Sequence, residues 1–206
     1  MIKDLKQYYQ SLYQAHGNSV EAVQHVSQAS QYKRFDILTN IDTQLSSIID
    51  IGCGLGDMYH YLNSKGYQGS YLGLDFVDEF IQAASEQFKA HSQANFARFD
   101  LTKEKIPATH DYILLSGVFN NNTPDAKQFM LSTIDAMFQA CKKGVAFNAM
   151  STYVDFFNDE LFYIDPLEVF DHCKKLGAHV VLKHDYLVKE GSVPYEFTMY
   201  LYKDAK

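Results

Sequence analysis

The run Ser47-Ile-Ile-Asp-Ile-Gly-Cys-Gly-Leu-Gly-Asp57 leaves the chain few folding choices. Ile48, Ile49 and Ile51 are β-branched and bounded by glycines, which predicts a short strand buried on both faces of a parallel sheet. Gly52, Gly54 and Gly56 then make a turn without side chains in the way, and Met58 to Lys65 continue as a helix. A strand, a bare turn and a helix N-terminus together seat a nucleotide-like ligand against backbone.

Spacing and charge narrow the ligand. A dinucleotide fingerprint reads Gly-x-Gly-x-x-Gly, whereas here alternate positions are glycine and Asp57 follows at once, with Asp50 at the strand end. Carboxylates on both sides of the loop repel a diphosphate and suit an ammonium or sulfonium centre. From Asp50 to Gly56 the order acid-x-Gly-x-Gly-x-Gly resembles, position for position, the first motif of the class I S-adenosylmethionine-dependent methyltransferases. The alternative is a glycine-rich turn without a ligand.

Downstream acids fall at the places such a fold needs. Gly69 to Asp75 predicts a second strand whose terminal acid stands about 20 residues past the glycine loop, the separation that sets a carboxylate on ribose hydroxyls. Asp75, with Phe76 beside it, is the strongest single ligand by this spacing; its other reading is an N-cap for a helix over about 77 to 91. A third strand, Ala94 to Phe99, leads into Asp100 and Leu101. The resemblance implies that Asp100 accepts from the adenine amine and that Leu101 lies against the ring, while a plain loop acid is the alternative.

A fourth strand over Asp111 to Ser116 runs into Gly117-Val-Phe-Asn-Asn-Asn122. Its end, Ser116, belongs beside the methyl donor, because ligands of doubly wound sheets collect where successive connections diverge. Thr123 and Pro124 read as the cap and first position of the next helix, which leaves Asn120 and Asn121 to read hydroxyl or amide groups of a substrate. Gly144 to Met150 is a fifth strand running into Tyr153, and Val154 to Ile164 form an aromatic, acidic insertion without clean periodicity. Asp165, Pro166 and Glu168 fit an N-cap, first-turn proline and capping box for a helix ending at Gly177. His179 to His184 and Tyr195 to Tyr202 are the last strands, joined by a loop short enough to demand antiparallel pairing.

The expected architecture is therefore α/β: a doubly wound, seven-stranded Rossmann-like methyltransferase sheet with its last strand antiparallel. Residues 1–206 are expected to make a single domain, with 46–206 as the core and 1–45 as a helical N-terminal extension. That extension either caps the carboxyl ends of the strands as a lid or covers an edge of the sheet, its last helix running over about 26 to 38. Arg34 lies on that helix. In a chain with only Arg34 and Arg98 as arginines, a planar fork there is expected either to clamp the cofactor's carboxylate, opposite Asp50 and Asp57 on its ammonium, or to form a surface ion pair.

A net charge of −7 and the lack of a basic stripe argue against nucleic-acid binding. No apolar run reaches membrane-span length, and the N-terminus lacks the apolar core of a signal peptide, so a cytoplasmic protein without membrane association is expected. The three cysteines are scattered without metal spacing, and no metal is expected. The function implied is methyl transfer from S-adenosylmethionine to a small-molecule acceptor. Gly52, Cys53 and Gly54 would lie against the cofactor's amino-acid portion, with Asn120, Asn121, Tyr153 and His184 bordering the acceptor. His184 is the one candidate there able to take a proton near neutrality. The alternatives are an S-adenosylmethionine-binding protein without transferase activity and a nicotinamide-dependent oxidoreductase, the latter disfavoured by the glycine spacing and Asp57.

Overall fold

The computed structural model describes residues 4–25, 27–177 and 179–204. Its centre is the isoleucine strand, β1 (Ser47–Ile51), which pairs in parallel with β2 (Ser70–Asp75) on one side and β4 (Tyr112–Leu115) on the other. With β3 (Ala94–Arg98), β5 (Gly144–Ser151), β7 (His179–Lys183) and β8 (Glu196–Tyr202), the spatial order is β3-β2-β1-β4-β5-β8-β7. β8 runs antiparallel to both neighbours, and the expected reversed last strand is present. One strand escaped the sequence reading: within the aromatic insertion, β6 (Tyr163–Ile164) pairs with the end of β5.

Alternation along the central strands divides the core. Ile49, Ile51, Ile113, Leu115, Val145 and Phe147 face one way, against α5 (Ala126–Ala140) and α6 (Pro166–Leu176). Ile48, Leu114 and Ala146 face the other, against α2 (Gln28–Thr39) and α3 (Asp57–Ser64). α2 is thus part of the layer covering the sheet, with Phe35 and Leu38 in its core; Val26, where the helix was expected to begin, lies outside the described residues. α1 (Leu5–His16) has no fully buried residue and packs on α4 (Asp78–Gln87) through Lys6–Asp78 and Gln10–Glu79 contacts of 2.7 and 2.9 Å.

Three local expectations are corrected. Thr123 does not cap α5: Pro124 and Asp125 form a turn first, and the helix starts at Ala126. Glu168 does not complete a capping box, because its carboxylate is drawn to Lys127; Asp165 alone caps α6, accepting from Leu167 N at 2.8 Å. α4 ends at Gln87, short of His91, although Phe88 remains in the core.

Candidate active site

Because β2 and β4 leave β1 on opposite sides, a crevice opens at the carboxyl ends of β1 and β4, where Ile51 pairs with Leu115. A cavity of about 580 Å³ occupies it. The glycine turn forms one wall. Gly52 has φ 72° and any Cβ there would come within 2.3 Å of Val118 Cγ2; Gly54 has φ 52° and would meet Val23 Cγ1 at 2.8 Å. Both positions need the left-handed backbone and the empty space that glycine supplies.

The acids converge on this wall. Asp75 bridges two loops, accepting from Gly54 N at 2.9 Å and Val77 N at 3.0 Å, so it braces the glycine turn; it does not cap α4, whose N-cap position is Val77. Burial raises its carboxyl to about 6, against the lowering effect of those N–H groups. Asp50 is 2% exposed and accepts from the Tyr71 hydroxyl at 2.5 Å. Burial raises it to about 7, with Asp75 and Asp57 adding to the rise. Asp57 opens α3 and accepts from Gln31 Nε2 at 2.9 Å, and burial raises its carboxyl too.

Among the described residues, three polar atoms around the cavity are buried without a partner: Gln31 Oε1, Ser116 Oγ and Asn120 Oδ1. Gln31 has spent its amide N–H on Asp57, so what remains beside the acids is a further acceptor. Such atoms are costly in a dry interior and mark where a polar ligand completes the structure. At the next edge, Asp100 lines the cavity with Leu101, but its carboxylate is held low, at about 2, by Lys103 and Thr102 in its own turn.

The opposite wall comes from the N-terminal segment and the turn after β4. Tyr9 accepts from Asn121 Nδ2 at 2.9 Å and donates to Gln24 Oε1 at 2.6 Å, tying α1 to that turn. Burial pushes the Tyr9 phenol well up, so it stays protonated. The insertion is clipped to the same turn through Phe162 N to Asn120 O (2.9 Å) and Asn122 N to Glu160 O (3.0 Å), which brings Leu161 onto the cavity. Asn122 serves as part of this clip, its side chain donating to Asp159 O at 2.9 Å.

Asp50, Gly52, Cys53, Gly54, Asp57, Asp75, Phe76, Asp100, Leu101, Ser116, Asn120 and Asn121 all line this one cavity. Arg34, Tyr153 and His184 do not. Arg34 does make a carboxylate clamp, but on Glu196: Nε stands 2.9 and 3.0 Å from its two oxygens and Nη2 2.5 Å from Oε1. Tyr153 is 56% exposed and packs edge-on to His184, ring centroids 5.9 Å apart. β8 lies between β5 and β7 and so carries His184 two strand spacings, about 9–10 Å, away from the end of β5. His184 is not placed for proton transfer in the cavity, and burial lowers its pKa, which makes the neutral ring a weaker base. Tyr9, Gln24, His25, Gln31 and Leu161 were missed as cavity residues; nothing local in the sequence singles them out, since each reaches the site only through tertiary packing. Among the described residues no group of three or more His, Cys, Asp or Glu side chains could hold a metal ion.

Comparison with known proteins agrees with this geometry. Residues 49–145 match a family model described as a methyltransferase domain. A Mycobacterium tuberculosis protein named "Putative methyltransferase Rv1506c" is 32% identical over 164 residues, covering 76% of this chain and 93% of its own length. The chain belongs to the methyltransferase family. The magnesium protoporphyrin IX methyltransferase of Synechocystis, solved with S-adenosylhomocysteine bound, superposes with a TM-score of 0.63 at 12% identity, covering 96% of this chain and 94% of its own. A SAM-dependent methyltransferase from Aquifex aeolicus gives 0.64 at 16%, covering 90% and 97%. The fold is the class I Rossmann-like one, and family membership sets the nicotinamide reading aside in favour of methyl transfer.

Proposed function

We propose that this protein transfers the methyl group of S-adenosylmethionine to a small-molecule acceptor held in the same cavity. The observation that carries the reading is the convergence of the glycine turn, Asp50, Asp57 and Asp75 with the unpartnered acceptor atoms Gln31 Oε1 and Ser116 Oγ. That donor-poor, acceptor-rich wall fits a ligand bearing an ammonium, a sulfonium and hydroxyl groups. Asp50, Asp57 and Gln31 would hold the ammonium, Gly52, Cys53 and Gly54 the backbone of the amino-acid portion, and Asp75 with Phe76 the ribose. Asp100 and Leu101 would attend the adenine, and Ser116 would stand beside the methyl donor.

When bound, the cofactor supplies a methyl carbon activated by positive sulfur. Held by Asp50, Asp57, Asp75 and Ser116, that group would present its methyl carbon to a lone pair of the acceptor. The chain's own contribution is to hold the acceptor in line and exclude water. The segment from Leu5 to Gln24 would serve that end as a lid, since Leu5, Tyr9, Val23 and Gln24 line the cavity, while α2 covers the sheet. No described helix is long and apolar enough to cross a membrane, and the three cysteines are free and buried, in keeping with a cytoplasmic enzyme.

Titration calorimetry with S-adenosylhomocysteine should give micromolar binding, and a cell-extract methylation assay with labelled cofactor should yield a low-molecular-weight product. Cofactor binding with no labelled product from any extract would turn the reading toward a binding protein without transferase activity.

A further inference from the structure

On the acceptor side of the cavity one ring has its hydrogen-bonding state fixed by the fold. His25 lines the cavity, and Arg34 Nη1 stands 3.4 Å from its Nδ1. A guanidinium only donates, so Nδ1 is the accepting nitrogen and the proton of the neutral ring sits on Nε2. With Nδ1 committed to Arg34, the Nε2 edge is the one left for the cavity. A Cβ at Gly117, at the end of β4, would come 4.0 Å from His25 Cε1, so this edge of the ring borders the turn that carries Asn120.

Arg34 is itself immobilised. Glu196 is 1% exposed and takes the guanidinium on both oxygens. Its Oε2 also accepts from Asn148 Nδ2 at 3.0 Å, and Asn148 Oδ1 accepts from Gly117 N at 2.9 Å. The chain of bonds that starts at His25 therefore returns to the acceptor turn. Burial, and then the Arg34 charge, lower the His25 pKa to about 3, so the ring faces the cavity as a neutral donor. Among the described residues no lysine or arginine lines this cavity, while Asp50, Asp57, Asp75, Asp100 and Asp125 do. An anionic acceptor therefore meets no lining cation to balance its charge.

We propose that His25 orients an uncharged methyl acceptor by donating Nε2–H to one of its hydroxyl or carbonyl oxygens, with the acceptor's apolar body against Val118, Phe129 and Leu161, and that Arg34 is the positioning residue that fixes the tautomer. This rests on the methyl-transfer reading above.

The test uses the full chain saturated with S-adenosylhomocysteine. Long-range proton–nitrogen spectra of histidine-labelled protein at pH 7, with His25 assigned by its loss in His25→Leu, should show the Nε2–H tautomer. Arg34→Lys keeps a charge for Glu196 but loses the fork, and should convert the ring to a mixture of tautomers. Ligand-observed NMR should find phenol and 4-hydroxyacetophenone bound at least tenfold more tightly than 4-hydroxybenzoate and phenyl phosphate. His25→Leu should weaken the neutral probes about tenfold, His25→Gln should recover part of that loss, and cofactor affinity should stay within about twofold in both, as expected for one hydrogen bond on the acceptor side. An Nδ1–H ring or an imidazolium at pH 7 would overturn the proposal. So would anionic probes binding as well as neutral ones, no neutral probe binding at all, or unchanged probe affinity in His25→Leu. If S-adenosylhomocysteine itself does not bind the wild-type protein, the methyl-transfer reading is what has failed.

Discussion

The two walls of the cavity are assembled from opposite kinds of material. The wall proposed for the cofactor, called the cofactor wall below, is mostly one continuous stretch, Asp50 to Asp57, braced by an acid from the next strand, and much of what it offers is backbone shaped by Gly52 and Gly54. The wall proposed for the acceptor, called the acceptor wall below, is side chains from segments far apart in sequence: Tyr9 and Asn121 are 112 positions apart and meet through a single hydrogen bond. Behind that wall stands a buried ion pair, Arg34–Glu196, joining positions 162 apart. A wall made of one stretch is rigid by its local geometry. A wall made of many needs a network to hold it, and the network is where it breaks most easily.

The largest effect should therefore come from that network. Arg34→Met leaves Glu196 buried and unpaired, and loss of one partner from a buried pair costs about 3–5 kcal/mol of stability. Denaturant unfolding reads this directly. An unchanged midpoint would mean that the acceptor wall does not depend on the pair. Arg34→Lys should leave S-adenosylmethionine affinity unchanged, because the fork is spent on Glu196; a clear loss would return Arg34 to the cofactor wall.

The cofactor wall should respond in binding more than in folding. Asp75→Ala removes the buried carboxylate proposed to hold the ribose, and should lower S-adenosylhomocysteine affinity roughly tenfold to over a hundredfold, about 1.5–3 kcal/mol. Calorimetry on the folded variant decides it, and wild-type affinity would remove the ribose assignment.

This contrast also explains what the sequence disclosed. The parallel strands, the reversed β8 and the cofactor wall follow from periodicity, glycine spacing and acids at strand ends, all local properties of the chain. His184 was misplaced because position at a strand end says nothing about which strand lies between: β8 separates β7 from β5, while Tyr153, two residues past β5, is 56% exposed. Arg34 was expected to clamp the cofactor's carboxylate or to form a surface ion pair, and it does neither: its fork is spent on the buried Glu196 of β8. Asn120 and Asn121 were legible because the turn after β4 must face the crevice. His25 and Gln31 were not, since their roles arise only when α2 docks on the sheet.

A smaller effect tests whether the proposed lid depends on its polar latch. Tyr9→Phe deletes the hydroxyl that links Gln24 and Asn121, worth about 0.5–1.5 kcal/mol for each hydrogen bond. Hydrogen exchange should quicken along α1 and stay unchanged in α3. Equal protection of α1 in both proteins would mean that the apolar contacts of Tyr9 with Phe76 and Phe80 hold the helix without the latch.

The smallest effect is a pH dependence in which the two walls pull in opposite directions. Asp50 rises from 3.8 to about 7 and Asp75 from 3.8 to about 6, so between those values the folded protein binds more protons than the unfolded chain. Their contribution is present at low pH and is lost as pH rises through about 6 to 7. His25 falls from 6.5 to about 3, so in that window the unfolded chain binds the extra proton and stability is lost as pH falls. From about pH 4 to 6 the two trends oppose, while from about 6.5 to 7.5 only the Asp50 slope remains. Asp50→Asn keeps an acceptor for the Tyr71 hydroxyl and removes the titration. Without cofactor it should flatten the decline in stability between about pH 6.5 and 7.5, a difference of roughly 1 kcal/mol or less. Melting curves of both proteins across that interval measure it. Parallel pH profiles would show that Asp50 is already ionised in the free protein, and that the cofactor wall carries its negative charge before any cation arrives.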